Sequence, residues 1–176
     1  MHAFHIRPAR IAEDFDAARQ LFKDYQDYLG VDLCFQGFSE ELSGLPGDYA
    51  PPQGELLLAW DASDESEMAE PRLAGGVAVR PLVQNGQVVP GACEMKRLYV
   101  YPSHHGMGVG GRLAHQIIAC ARQLGYTRMV LDTLERLEDA VLLYSRFGFQ
   151  PCDPYNDNPI PGVLFMELTL EPGMNA

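Results

Sequence analysis

A run of glycines between a predicted strand and a predicted helix is the feature that most constrains how this chain folds. The strand spans residues 94–100 (EMKRLYV), the loop spans residues 101–111 (YPSHHGMGVGG), and the helix follows from residue 112 to residue 125. Glycines at such a junction let the backbone approach a ligand closely. Unpaired amides at a helix start favour an anion, so the expected ligand is a phosphate or a pyrophosphate.

One kind of protein with glycines at this place binds a dinucleotide. It has G-x-G-x-x-G directly after a strand and an acidic residue about 20 positions later. Gly106, Gly108 and Gly111 have that spacing, and Asp132 ends the next predicted strand. However, five residues separate the first strand from Gly106, whereas a dinucleotide-binding turn is tight. Too few residues remain for the second half of a doubly wound sheet, so we disfavour a nucleotide-binding oxidoreductase.

The run more closely resembles the acyl-CoA-binding motif of the Gcn5-related N-acetyltransferases, the GNAT superfamily. The signature of that motif is R/Q-x-x-G-x-G/A at a strand-to-helix junction. Here it begins at His105 and ends at Gly110, so a histidine takes the first position. The resemblance implies acetyl-CoA as co-substrate, no metal, and phosphate binding by backbone amides, with either His105 or Arg112 adding a side-chain contact. The residues expected to bind acetyl-CoA are Leu98, Tyr99, Val100, His105, Gly106, Met107, Gly108, Val109, Gly110, Gly111 and Arg112.

The order of the predicted elements favours an α/β fold in a single domain over residues 1–176. Strands are expected near residues 3–7, 55–60, 72–82, 94–100, 126–133 and 163–170, and helices near residues 13–29, from 39, 108–124 and 140–147. Gly30 is a plausible helix end and Ser39 a plausible N-cap, while residues 61–71 read as a solvated hairpin connection. The resemblance implies the same GNAT-like α/β architecture: a mixed central sheet of about seven strands with about four helices on both faces.

A glutamate in the central strand is the candidate general base. An alkylammonium has a pKa of about 10.4, so its proton must be removed before it attacks a thioester. Family members often carry a glutamate four residues before the first residue whose backbone binds pantetheine, and Glu94 stands four before Leu98. The resemblance therefore implies Glu94 as the base, directly or through a water. The alternative is an ion pair with Lys96 on the same face of the strand. Asp132, on the adjoining predicted strand, does not match the family position.

A tyrosine in the last predicted helix is the candidate general acid. The departing thiolate needs a hydrogen-bond donor, and the family commonly supplies one in a pattern like A-x-x-L-Y-x-x-x-G-F. Ala140, Leu143, Tyr144, Gly148 and Phe149 match that pattern. The resemblance therefore implies Tyr144 as the acid. The alternative is an ordinary tyrosine of an amphipathic helix, whose hydroxyl merely finds a partner.

The acceptor side of the site is expected in two segments that are rich in aromatic and amide groups. Long ordered loops with such groups are frequent binding elements. Each residue taken singly also has an ordinary explanation in packing or turn formation. The residues expected to contact the acceptor are Tyr28, Phe35, Gln36, Tyr155 and Asn158.

Composition limits the partners and the compartment. A net charge of −11 with only two lysines argues against nucleic acid, and it suits an amine substrate as well as simple solubility. The four cysteines are widely spaced, which favours a reducing, cytoplasmic setting. No apolar run reaches 18 residues, so we expect no membrane partner. The sequence leaves a homodimer open.

Together these features predict an N-acetyltransferase. It is expected to move an acetyl group from acetyl-CoA to a primary amine of a small molecule or peptide, by direct transfer in a ternary complex. The alternative is a non-catalytic acyl-CoA-binding sensor or interaction module that kept the fold and lost turnover. The presence of both Glu94 and Tyr144 favours the enzyme.

Overall fold

Seven strands and four α-helices form the part of the chain that the computed structural model describes, residues 4–63 and 71–171. Three short 3₁₀ turns lie at Cys34–Gln36, Gly47–Tyr49 and Pro102–His104. The strands are β1 (Phe4–Pro8), β2 (Glu55–Asp61), β3 (Arg72–Gln84), β4 (Gln87–Val100), β5 (Arg128–Leu134), β6 (Gln150–Pro151) and β7 (Val163–Thr169). The helices are α1 (Ala12–Leu29), α2 (Phe38–Gly44), α3 (Val109–Gln123) and α4 (Glu138–Arg146).

The strands form one mixed sheet in the order β1-β2-β3-β4-β5-β7-β6. Neighbours are antiparallel except β4 and β5, which run parallel and are joined through α3. Such a crossover is right-handed in nearly all proteins and lays the helix on one face of the sheet. The predicted α/β architecture of about seven strands and four helices is confirmed.

β4 and β5 pair over only a short stretch, and this creates the opening in which the site lies. Their paired residues run from Ala92 with Arg128 to Glu94 with Val130. β4 continues to Val100 and β5 to Leu134 beyond the last pair. A bulge accompanies the separation: the register of β4 against β3 shifts next to Arg97, whose φ is +60°. The extra residue of a bulge bends and twists its strand.

Two apolar clusters cover the two faces of the sheet. α1 buries Ala18, Leu21 and Phe22 against β2 and β3 and ends at Gly30, whose φ of +65° suits glycine. The opposite face packs against α3 through Leu113 and Ile117. Each helix therefore follows the 3.6-residue period by which its sequence was predicted.

Details of the predicted boundaries differ from the structure. Ser39 is not an N-cap, because α2 already begins at Phe38 and Gly37 takes the cap position. Gly37, with a φ of +69°, makes the sharp entry to the helix two residues before the serine that was expected to cap it. The two-residue strand β6 had no signal of its own. Residues 64–70 of the predicted hairpin connection lie outside the described residues.

Candidate active site

The start of α3 presents free amides to a long groove. The first bond inside the helix joins Arg112 N to the Gly108 carbonyl, so the amides of Val109, Gly110 and Gly111 have no partner within the helix. Gly108 is the N-cap with φ +78°, and a Cβ there would meet no heavy atom within 4 Å. Three amides therefore lie beside open space at the predicted anion site, and anion binding there stays a prediction.

This groove has a volume of about 700 Å³. It begins at the start of α3 and runs between β4 and α4. A second cavity of about 480 Å³ adjoins it across Gly108, Leu143 and Arg146. Among the residues predicted to bind acetyl-CoA, Met107 borders neither cavity, and its contact stays a prediction. Those that line the groove are Leu98, Tyr99, Val100, His105, Gly106, Gly108, Val109 and Gly110, and those that line the second cavity are Gly108, Gly111 and Arg112.

The two candidate phosphate-binding side chains, His105 and Arg112, each already contact a backbone carbonyl oxygen of the protein. His105 Nε2 lies 2.8 Å from the Val100 carbonyl oxygen, and the ring meets Tyr28 edge-on. Arg112 donates from Nη2 to the Phe4 carbonyl at 2.9 Å, which leaves its other guanidinium donors for a ligand. Arg112 therefore has more free donor capacity than His105 and lies beside His115 and Arg146 in the second cavity.

Tyr144 stands at the inner end of the groove. Its side chain is buried, with its ring edge-on to Phe149 at a centroid distance of 5.7 Å. Burial raises the pKa of Tyr144 far above its usual value, with smaller contributions from Tyr25 and Asp132. The hydroxyl therefore keeps its proton at any physiological pH, as an acid for a departing thiolate must.

Beyond Tyr144 lies a smaller space, here called the inner cavity, with a volume of about 50 Å³. It occupies the gap between the separated strands β4 and β5. It joins the groove, because five residues line both: Tyr25, Leu98, Thr133, Leu137 and Tyr144. The residues that line only the inner cavity are Leu29, Leu33, Gln36, Met95, Lys96, Arg97, Leu131, Asp132, Leu134, Asn158 and Ile160.

A row of charges, three of them with buried side chains and Arg80 partly exposed, crosses β3, β4 and β5 on the sheet face that carries α1. This ionic row consists of Arg80, Glu94, Lys96 and Asp132. Arg80 Nη2 lies 2.9 Å from Glu94 Oε2, and Lys96 Nζ lies 3.4 Å from both Glu94 Oε1 and Asp132 Oδ1. Two cations and two carboxylates alternate, so the row is balanced in charge.

Glu94 is enclosed by this row. Tyr155 donates a hydrogen bond from its hydroxyl to Glu94 Oε1 at 3.0 Å, in addition to the contacts with Arg80 and Lys96. The ion pair with Lys96 that we weighed as the alternative is therefore present. Glu94 does not line either cavity within the described part of the chain. Its role as a base stays a prediction and requires an intervening group or water.

The residues predicted to contact the acceptor fall at different places. Gln36 and Asn158 line the inner cavity, whereas Tyr155 supports Glu94 from the loop before β7. Tyr28 lines the groove rather than the inner cavity, and Phe35 is 42% exposed and lines neither. The acceptor contacts proposed for these residues stay predictions, and Gln36 and Asn158 are the best placed.

Several residues of the site were not singled out from the sequence. Thr133 lies where the two cavities join, and Arg80 holds Glu94. Asn156 donates to Asp132 from the loop before β7 at 3.2 Å. The available signal was a charged residue inside an apolar strand, as in the VAVRPL segment that contains Arg80.

The described residues contain no group of three or more histidine, cysteine or acidic side chains arranged to hold a metal ion. Within residues 4–63 and 71–171, no helix is both long enough and apolar enough to cross a membrane.

Comparison with known proteins agrees with this arrangement. Residues 18–149 match the model of the acetyltransferase (GNAT) family. An uncharacterized N-acetyltransferase of Schizosaccharomyces pombe is 41% identical over 165 residues, which cover 94% of each chain. An acetyltransferase of the GNAT family from Staphylococcus aureus has a similar fold, with a TM-score of 0.73 at 15% identity over 96% of this chain and 100% of the other. A GNAT family acetyltransferase from Brucella melitensis, solved in complex with acetyl-CoA, gives a TM-score of 0.66 at 23% identity over 98% of this chain and 91% of that one. The chain belongs to the acetyltransferase (GNAT) family.

Proposed function

We propose that this acetyltransferase moves the acetyl group of acetyl-CoA to a primary amine of a small molecule or peptide, directly within a ternary complex. The observation that carries the proposal is the junction of the groove and the inner cavity at Tyr144. A thioester placed there has a proton donor on one side and a polar cavity for a nucleophile on the other. The bound acetyl-CoA of the Brucella melitensis relative supports the same donor here.

The residues around the groove suit acetyl-CoA. The free amides of Val109, Gly110 and Gly111 would hold its diphosphate, and the helix dipole adds a favourable field. Leu98 and Tyr99 follow the point at which β4 leaves β5, so backbone groups on that side of β4 are available to an extended pantetheine arm. Acetyl-CoA supplies the activated acyl group, and the chain supplies its orientation.

Three proton movements complete the reaction. The bound ammonium first loses one proton, its neutral nitrogen then bonds to the acetyl carbon, and the nitrogen loses its second proton to solvent as the carbon–sulfur bond breaks. Tyr144 gives its hydroxyl proton to the departing thiolate sulfur. Glu94 accepts the amine proton through an intervening water or side chain, because its carboxylate does not reach the inner cavity. The tyrosinate is reprotonated from solvent when CoA leaves.

A binding test followed by a turnover test checks the proposal. Acetyl-CoA, CoA and NAD are each added in large excess during thermal unfolding; a ligand at 100 times its Kd adds about 2.7 kcal/mol, which raises Tm by several degrees. We expect a shift with acetyl-CoA and CoA, and amine-dependent thiol release from acetyl-CoA. Stabilisation by acetyl-CoA without turnover on any amine would favour the non-catalytic sensor. Stabilisation by NAD alone would contradict the site assignment.

A further inference from the structure

Asp132 is the charged side chain of the inner cavity that retains capacity for a ligand. A carboxylate offers about four acceptor positions. Asp132 Oδ2 accepts hydrogen bonds from Asn158 at 3.0 Å and Asn156 at 3.2 Å, while the one contact of Oδ1 among the described residues is a long one, 3.4 Å to Lys96. Burial raises the pKa of Asp132, but Lys96 and the two amide donors outweigh it and lower the pKa below its usual value. The cavity therefore contains an ionised carboxylate whose Oδ1 can accept another donor.

The cations that line the inner cavity are, by contrast, already committed. Lys96 Nζ contacts Gln36 Oε1 at 3.1 Å as well as its two carboxylates. Arg97 binds both oxygens of Glu41 at 3.0 and 2.7 Å, and its remaining Nη1 donates to Gln36 at 3.1 Å. A substrate carboxylate placed here would find no free cation among the described residues and would face Asp132 instead.

Asn156 supports Asp132 without lining the inner cavity itself. Its amide nitrogen donates to Asp132 Oδ2, as Asn158 does, and its own carboxamide oxygen is buried with no hydrogen-bond partner among the described residues. Both asparagine donors therefore bind the same carboxylate oxygen, which leaves Oδ1 for a donor that enters the cavity. An amino group carries N–H donors and no negative charge, so it suits this oxygen.

Part of the wall of the inner cavity is apolar. Leu29, Leu33, Leu137 and Ile160 line it, beside the polar residues Gln36, Thr133 and Asn158. With a volume of about 50 Å³ it has room for a few water-sized groups, such as an amino group and the carbons next to it. A charged substituent on the carbon that bears the amine would be pressed against apolar side chains.

We propose that Asp132 binds the amino group of the acceptor, and that the acceptor is an amine with no carboxylate on the carbon that bears the nitrogen. This inference rests on the proposed function and specifies its substrate class. Asp132 acts as a binding and positioning residue, while Tyr144 and Glu94 retain their proton-transfer roles. α-Amino acids are excluded as good substrates at their α-amino group, whereas the corresponding decarboxylated amines fit.

Matched substrate pairs test the substrate class. Initial rates of thiol release are compared for tyramine with tyrosine, phenethylamine with phenylalanine and agmatine with arginine. Because burying an unpaired charge costs more than a typical hydrogen bond, we expect kcat/KM for the preferred amine to exceed that of its amino acid by about tenfold or more. Equal values, or a preference for the amino acid, would overturn the inference while leaving the proposed function intact. Thiol release with none of the amines of a broad panel, in a protein that binds acetyl-CoA, would refute both.

Substitution at Asp132 tests the residue. Asp132→Asn keeps the shape but removes the charge, so we expect KM for the amine to rise about tenfold or more, with a smaller change in kcat and an unchanged KM for acetyl-CoA. Glu167→Gln is the matched control: it removes a carboxylate of the same sheet that is paired with Arg128 at 2.7 Å and lines neither cavity. An unchanged amine KM in folded Asp132→Asn would refute the assignment.

A measurement on the wild-type protein covers the case in which Asp132→Asn does not fold. The alcohol isosteric with the best amine is tested as a competitive inhibitor against that amine. It lacks the positive charge, so its Ki should exceed the Kd of the amine, measured in the presence of CoA, by about tenfold or more. Equal affinities would show that charge recognition by Asp132 does not hold the acceptor.

Discussion

Tyr144 combines a buried hydroxyl with a position between two cavities. Tyr144→Phe keeps the ring against Phe149 and removes the proton donor, so kcat should fall about 10²-fold or more while the affinity for acetyl-CoA changes little. Because the pKa of Tyr144 is raised, its hydroxyl should not lose its proton to solvent at any pH up to 9. We therefore expect no fall in the wild-type rate from ionisation of Tyr144 in that range. Steady-state rates and acetyl-CoA titrations measure both effects.

Tyr126→Phe is the matched control for that substitution. Tyr126→Phe also removes a hydroxyl, in this case one that donates to the Gln53 carbonyl, but Tyr126 lines neither cavity. We expect its kcat to match that of the wild type. A Tyr144→Phe protein that turns over as fast as Tyr126→Phe would remove Tyr144 from the acid role.

At the scale of an element, Asp14 fixes the start of α1. Its buried carboxylate receives two hydrogen bonds from Arg7, at 2.7 and 2.8 Å, and one from Arg10 N at 2.9 Å. Burial opposes ionisation, yet these bonds hold the pKa of Asp14 below its usual value. Asp14→Asn should therefore lower the free energy of unfolding at pH 7 by about 2 kcal/mol, a typical value for hydrogen bonds to a charged group.

The lowered pKa of Asp14 also determines how its contribution to stability changes with pH. A carboxylate with a depressed pKa stabilises the fold above its unfolded pKa, about 3.9, and this stabilisation is lost as pH falls through the lower folded value. The difference between the wild type and Asp14→Asn, measured by urea unfolding, should shrink from pH 7 to pH 3. Asp16→Asn is the control, because Asp16 is 76% exposed in its side chain and pairs only with Arg19. A constant difference across pH would contradict this account.

At the start of α3, we expect glycine to matter more for ligand binding than for folding. Gly108 and Gly125 have φ values of +78° and +88°, and a Cβ at either would meet no heavy atom within 4 Å. Gly108→Ala and Gly125→Ala should therefore lower the free energy of unfolding by similar amounts, about 1–2 kcal/mol, because alanine disfavours the left-handed backbone conformation. Only Gly108 borders the groove, so Gly108→Ala alone should weaken acetyl-CoA binding, by about tenfold or more, in a calorimetric titration. Equal Kd values for the two variants would mean that the cofactor does not approach Gly108.

Elements with local signals were predictable, and the contacts between distant elements were not. The glycine run has the short spacing that is typical of a strand-to-helix junction. The residues around Tyr144 have the short spacing that is typical of an amphipathic helix. The surroundings of Glu94, however, depend on Tyr155, which is 61 residues away in a loop without periodicity. The bulge at Arg97 also lacks a glycine that would have marked it. The sequence therefore predicted the elements that line the groove better than it predicted the side chains that surround Glu94.

At the scale of the whole molecule, the parting of β4 and β5 brings the two sides of the site together. The groove lies along the start of α3 and α4, while Gln36 and Asn158 close the inner cavity from the turn after α1 and the loop before β7. With acetyl-CoA in the groove and the acceptor in the inner cavity, as we propose, the two substrates would approach from separate sides and meet beside Tyr144. Because the groove and the inner cavity are joined, both substrates could be bound at the same time.

This arrangement predicts the kinetic order of the reaction. Direct transfer needs donor and acceptor together, whereas a ping-pong reaction needs an enzyme nucleophile at the junction. The junction residues Tyr25, Leu98, Thr133, Leu137 and Tyr144 include no cysteine, and Cys93 and the other cysteines line neither cavity in the described part of the chain. Initial rates measured over a grid of acetyl-CoA and amine concentrations should therefore give intersecting double-reciprocal lines. Acetyl-CoA alone should release no burst of CoA, since no acyl-enzyme forms. Parallel lines together with a stoichiometric burst would instead require a covalent intermediate, for which Thr133 would be the first residue to replace.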